Sequence, residues 1–63
     1  MMSRTFLKFK MLFDLAAYVK LAKPNAYIID TTRLTLLAYL TEVQIAIAIE
    51  EFQAVHLPLS SIV

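Results

Sequence analysis

The chain contains no glycine. Glycine is the residue that most easily takes positive φ, so every reversal must be built without it, and two-residue primed hairpins are disfavoured. The available punctuation comes from proline. Pro24, followed by Asn25, pushes Lys23 out of the helical region, so a helix arriving from the N-terminal side should end near Ala22. Pro58 closes the second half in the same way and leaves "LPLSSIV" as a tail over 57–63. No repeat or low-complexity linker interrupts the chain, which reads as one small domain over 1–63 with its break at Pro24-Asn25.

The segment "FLKFKMLFDLAAYVKLA" (6–22) has the spacing of a helix. Leu7, Met11, Leu15, Tyr18 and Ala22 fall on one stripe, and Phe6, Phe9 and Phe13 form a second apolar row on another side. A second segment runs from Thr31 to Val55, with Asp30-Thr31-Thr32 offering side-chain oxygens to cap its free amides. As a helix it lines Leu36, Leu40, Val43 and Ile47 on one face, and Ile45, Ile49 and Phe52 on a nearly opposite one. Glu50 interrupts the first of these faces and Glu42 the second.

The stretch "VQIAIAIEEF" (43–52) also fits a strand, with Val43, Ile45, Ile47 and Ile49 on one side. Upstream "LLAYLTE" and downstream "EEFQA" favour helix, and a strand would need a reversal near Leu40–Glu42, where no turn former stands. The sequence therefore predicts a mainly α fold, a helical hairpin of two apolar, two-faced helices over 6–22 and 31–55. The alternative is α+β, with an N-terminal helix and a β-hairpin over 27–50. A membrane span is disfavoured: Leu34–Ile49 is sixteen residues long and carries Glu42 and Gln44 near its centre, whereas a span needs about 20 apolar residues.

Size then limits the fold. Sixty-three residues lie near the lower limit for burying a useful core alone, and with no cysteine and a single histidine neither disulfides nor a metal cluster can staple it. Yet 60% of the residues are hydrophobic, against roughly 45–50% in an ordinary soluble domain. The surplus must be covered by copies of the chain, a larger partner or lipid. Candidate interface residues are Leu7, Met11, Leu15 and Tyr18 on the first helix, and Leu36, Leu40, Val43, Ile45, Ile47, Ile49 and Phe52 on the second. Glu42 and Glu50, standing inside apolar seams, are the candidates for setting register and copy number.

The net charge is +1, which gives no strong field for nucleic acid. Its distribution is uneven. Residues 1–25 carry Arg4, Lys8, Lys10, Lys20 and Lys23 against Asp14, a balance of +4. Residues 26–63 carry Arg33 against Asp30, Glu42, Glu50 and Glu51, a balance of −3. Opposite halves favour folding back on each other or contact between subunits.

No catalytic constellation emerges. His56 stands five residues after Glu51, off the spacing of a helical metal pair, and Ser60-Ser61 have no neighbouring base. Lys8, Lys10, Lys20 and Lys23 with Phe9 and Phe13 do not gather on one face as a nucleic-acid patch would.

One likeness bears on the β alternative. "YIIDTTRLTLLAY" followed by "EVQIAIAIEEF" resembles the hairpin strands of gas-vesicle shell proteins, with the aspartate, arginine and glutamates in the same order over about half the chain. The resemblance implies a self-assembling wall.

The expected function is a non-enzymatic structural or scaffolding subunit, acting as a homo-oligomer or inside a larger complex, without a cofactor or metal. A shell or filament protein and a membrane-associated regulatory peptide are the alternatives. Nucleic acid is disfavoured as a partner, and a membrane surface is left open beside a cytoplasmic setting.

Overall fold

The computed structural model describes residues 2–24 and 26–62, so Asn25 of the predicted break, Met1, and Val63 of the predicted tail lie outside it. Its elements run β1 (Met2–Lys8), α1 (Leu12–Ala22), β2 (Tyr27–Asp30), β3 (Thr35–Thr41), α2 (Glu42–Glu51) and β4 (Val55–Leu57), then a 3-10 turn at Leu59–Ile62. The strands form one antiparallel sheet in the order β2-β3-β1-β4. This βαββαβ connectivity with both long strands in the centre is the split βαβ, or ferredoxin-like, arrangement. The mainly α hairpin is thereby overturned. The α+β alternative is corrected as well: the chain opens with a strand, the β2–β3 hairpin stops at Thr41, and "VQIAIAIEE" is helix.

The physical reason is a degeneracy in spacing. Leu36 and Leu40 share a face in a helix because they are four apart, and they share a face in a strand because four is even. Pairing decides between the two. β1 and β3 match over seven consecutive positions, from Met2↔Thr41 to Lys8↔Thr35, a long-range ladder that no local propensity can report. Likewise Leu7 and Leu15 reach the same core, one from a strand and the other from a helix.

The reversals are made without glycine in three ways. Lys23 (φ 48°), Leu34 (φ 60°) and Gln53 (φ 55°) each occupy the left-handed region where glycine would ordinarily stand. Lys23 ends α1, and its amide donates to the Val19 carbonyl at 2.9 Å. Gln53 follows α2, after which the Ala54 amide reaches the Ala48 carbonyl at 3.0 Å. Asp30 does not open a helix. Its Oδ1 accepts from the amides of Thr32 (3.0 Å) and Arg33 (3.1 Å), the same chemistry as an N-cap but closing the β2–β3 turn.

The step from β3 into α2 needs no turn former at all. Thr41 is both the last strand residue and the N-cap, and Thr41-x-x-Gln44 forms a capping box. The Gln44 amide donates to Thr41 Oγ1 at 3.2 Å, and the Thr41 amide donates to Gln44 Oε1 at 2.8 Å.

Both helices lie against one face of the sheet. The core gathers Leu7 and Phe9, Leu36, Ala38 and Leu40, Leu15 and Tyr18, and Ala48 and Ala54, all buried. Tyr18 stands at its centre, with the rings of Phe9 and Phe52 each 5.4 Å away. Its hydroxyl donates to the Gln44 carbonyl at 2.7 Å, while Gln44 Nε2 donates to the Ala22 carbonyl at 3.2 Å. The end of α1 is thus tied to the start of α2 by Gln44, a residue assigned no role by apolar periodicity.

Candidate functional site: the uncovered sheet face

Strand alternation sends Thr5 and Leu7 of β1, and Leu36, Ala38 and Leu40 of β3, toward the helices. It sends Arg4, Phe6 and Lys8, with Leu37 and Tyr39, to the opposite face, away from the core that the two helices cover. The register then builds rows. Ile28 pairs with Leu37, Leu37 with Phe6, and Phe6 with Leu57, so four apolar side chains cross all four strands in one line. One row toward the start of β1 lies Arg4 beside Tyr39. One row the other way lie Asp30, Thr35, Lys8 and Val55.

An antiparallel sheet with one solvated face ordinarily reads apolar inward and polar outward. Here the outward face is apolar too. Ile28 is 67% exposed, Tyr39 48% and Val55 52%, while Phe6, Leu37 and Leu57 are only half-covered. Three open depressions flank the Ile28–Leu57 row. The largest, about 570 Å³, lies between Arg4, Ile28, Leu37 and Tyr39, and another of about 460 Å³ lies between Phe6, Lys8, Arg33 and Leu57.

The electrostatics of the face are simple. Asp30 is its one acid, occupied by the turn amides and, through Oδ2, by Arg33 Nε at 3.9 Å. That is the one ion pair among the described residues, and it lies within the second half of the chain, so no ion pair joins the basic and acidic halves. The face can bury apolar surface and place two cations, Arg4 and Lys8, beside it; it offers no acid–base couple for chemistry.

Elsewhere, no three histidine, aspartate or glutamate side chains among the described residues gather as a metal site would require. His56 is exposed on the short edge strand β4. No described helix is long and apolar enough to cross a membrane. Burial raises the Tyr18 phenol above its ordinary 10.0 through desolvation, and its role is in the core.

The interface candidates separate into three groups. Leu7, Leu15, Tyr18, Leu36 and Leu40 are fully buried within the chain itself. Ile45, Ile47 and Phe52 are half-buried against that core. Met11, Val43 and Ile49 are exposed, on the helix side of the molecule. Glu42 and Glu50 are solvent-exposed on α2 and interrupt no seam, because the strand half of their presumed helix turns away.

Periodicity at 3.6 missed the face that matters: Phe6, Ile28, Leu37, Tyr39 and Leu57. A signal was present in "RTFLK" and "LTLLAYL", where period two places apolar side chains on both sides at once.

No protein-family model, curated protein or solved structure matches this chain.

Proposed function

We propose that the chain is a non-enzymatic structural subunit that works as a homo-oligomer, with a second copy covering its open sheet face. The observation that carries this reading is the Ile28–Leu37–Phe6–Leu57 row, apolar across the whole sheet, with Ile28 exposed and the other three half-buried. Contiguous apolar patches exposed on a surface mark interaction sites.

The row also matches itself. A two-fold axis running along the strands, between two facing sheets, lays β1 over the partner's β3 and β2 over the partner's β4. Phe6 then meets the partner's Leu37, Ile28 meets the partner's Leu57, and Arg4 stands over the face of the partner's Tyr39, a cation–π geometry. An axis across the strands would instead set Arg4 against the partner's Lys8. The charges select the first arrangement. Four strands at about 4.8 Å spacing make a small footprint, so the contact belongs at the low end of stable interfaces and should dissociate on dilution.

Sedimentation velocity across the micromolar range tests this. The parent chain should be dimeric or larger, and Leu37→Asp should remain folded by circular dichroism yet sediment as a smaller species than the parent. A folded monomer at tens of micromolar would overturn the reading.

A further inference from the structure

We infer that the outer surface of the helix layer is a second self-complementary face, on which another copy docks with α1 against its α2. This goes beyond the sheet contact, and it rests on that reading only for the stacked assembly it produces.

The surface is apolar where a solvated helix would be polar. On α1, Leu12, Phe13 and Leu21 are all more than half exposed, Phe13 at 76%; on α2, Val43 is 68% exposed and Ile49 is exposed beside it. The charges set among them are sorted by helix. Lys10, Lys20 and Lys23 are exposed on or beside α1, whose one acid, Asp14, is half-buried. Glu42, Glu50 and Glu51 are exposed on α2, which carries no base.

The helices run antiparallel. Each follows a strand and returns along it, and β1 and β3 are themselves antiparallel. The Gln44–Ala22 hydrogen bond fixes the end of α1 beside the start of α2. Lys20 and Lys23 therefore stand at the level of Glu42, and Lys10 at the level of Glu50 and Glu51. The spacings agree: at about 1.5 Å per residue, Leu12 at the start of α1 and Lys20 span about 12 Å, as do Glu42 and Glu50, with Lys10 just ahead of Leu12.

A two-fold axis along the helices places α1 over the partner's α2 at matching levels, so Lys20 and Lys23 meet the second copy's Glu42, and Lys10 meets its Glu50 and Glu51. An axis across them lays lysines over lysines. Lone exposed pairs contribute little, so the charges fix orientation while apolar burial supplies the affinity. Two such axes, one on each side of a two-layer molecule and both near the strand direction, combine into a translation rather than a closed ring. Copies that use both faces stack sheet to sheet and helix to helix in an open column.

The test uses the full chain with Leu37→Asp to silence the sheet face, and Ile28→Lys as its substitute should that variant not fold. In this background sedimentation should still show a dimer. Adding Glu42→Lys, Glu50→Lys and Glu51→Lys, or alternatively Lys10→Glu, Lys20→Glu and Lys23→Glu, should weaken self-association by roughly 100-fold or more. Mixing the two reversed proteins should restore a pair, because basic then meets acidic on every helix. A parent dimer that Leu37→Asp turns into a monomer overturns this inference and leaves the sheet contact standing. A Leu37→Asp dimer abolished by charge reversal supports it even if the parent proves never to use its sheet face. Reversed sets that associate like Leu37→Asp alone, or a monomeric Leu37→Asp protein that co-sediments with anionic vesicles, overturn it, the latter by giving the face to a lipid surface.

Discussion

Gln44 should be the most sensitive polar residue in the molecule. Its Oε1 accepts from the Thr41 amide at 2.8 Å and its Nε2 donates to the Ala22 carbonyl at 3.2 Å, so one side chain closes the cap of α2 and ties it to α1. Gln44→Met keeps the length and helix propensity but removes both bonds. At a net 0.5–1.5 kcal/mol each, the loss is about 2 kcal/mol. A 63-residue domain holds only about 3–9 kcal/mol in total, so the melting temperature should fall by roughly 8–16 °C. Gln44→Glu separates the two bonds. It keeps the acceptor for Thr41 but sets a carboxylate against the Ala22 carbonyl, which raises its folded-state pKa. The stability it confers is then present at low pH and lost as pH rises through that raised value, so Gln44→Glu should be more stable near pH 4 than at pH 7 relative to the parent. Urea unfolding followed by circular dichroism, at a concentration giving each protein the same oligomeric state, reads both effects. A Gln44→Met cost below about 0.5 kcal/mol would refute the assignment of Gln44 as the tie between the helices.

The backbone offers a stabilising change. Left-handed φ costs a non-glycine residue about 1–2 kcal/mol, and glycine returns about 0.4–1 of that through unfolded-state entropy, so Lys23→Gly and Gln53→Gly should each stabilise by roughly 0.5–1 kcal/mol in urea titrations. Asp30→Ala removes the acceptor for the Thr32 and Arg33 amides and should cost about 1 kcal/mol by the same measurement. Because burial raises the Tyr18 phenol above 10.0, its contribution is intact below that pH and is lost as pH rises through the raised value; alkaline unfolding curves should show this, and Tyr18→Phe should flatten them. Assembly should couple to folding, so the melting temperature by calorimetry should climb with protein concentration, by about 2.7 kcal/mol of added stability at a hundred times the dissociation constant.

The sequence made several local features legible. Helix α1 ends at Ala22, where Pro24 required it, and the helical form of "VQIAIAIEE" follows from its flanks. The strands were hidden by two coincidences. Leu7, Met11 and Leu15 sit at helical spacing although the first is in β1 and the last in α1, with Met11 exposed between them. Leu36 and Leu40 fit both periods. The boundary at Thr41 is written in the sequence as Thr-x-x-Gln: the chain reverses there through a helix cap and needs no turn former. What local pattern cannot supply is partner choice: β1 joins β3 across 27 to 39 residues, from Lys8↔Thr35 to Met2↔Thr41, and only that pairing decides which side chains face the helices.

The uncovered face is not the residue of a poor fold. The radius of gyration is 10.2 Å, against about 10.6 Å expected for this length. Among the described residues every buried side-chain nitrogen or oxygen has a hydrogen-bond partner, and Phe9, Tyr18, Leu7, Leu15, Leu36 and Leu40 are almost fully buried. The helices have covered what they can reach. Alternation fixes the rest: with Leu36, Ala38 and Leu40 turned inward, Leu37 and Tyr39 must turn outward whatever their chemistry. Folding of one chain therefore places no demand for apolar side chains at Ile28, Leu37, Phe6 and Leu57, and threonine, lysine or glutamate there would leave the inner core untouched. Four apolar residues aligned where the fold asks for none are what supports the proposal that a second copy covers this face.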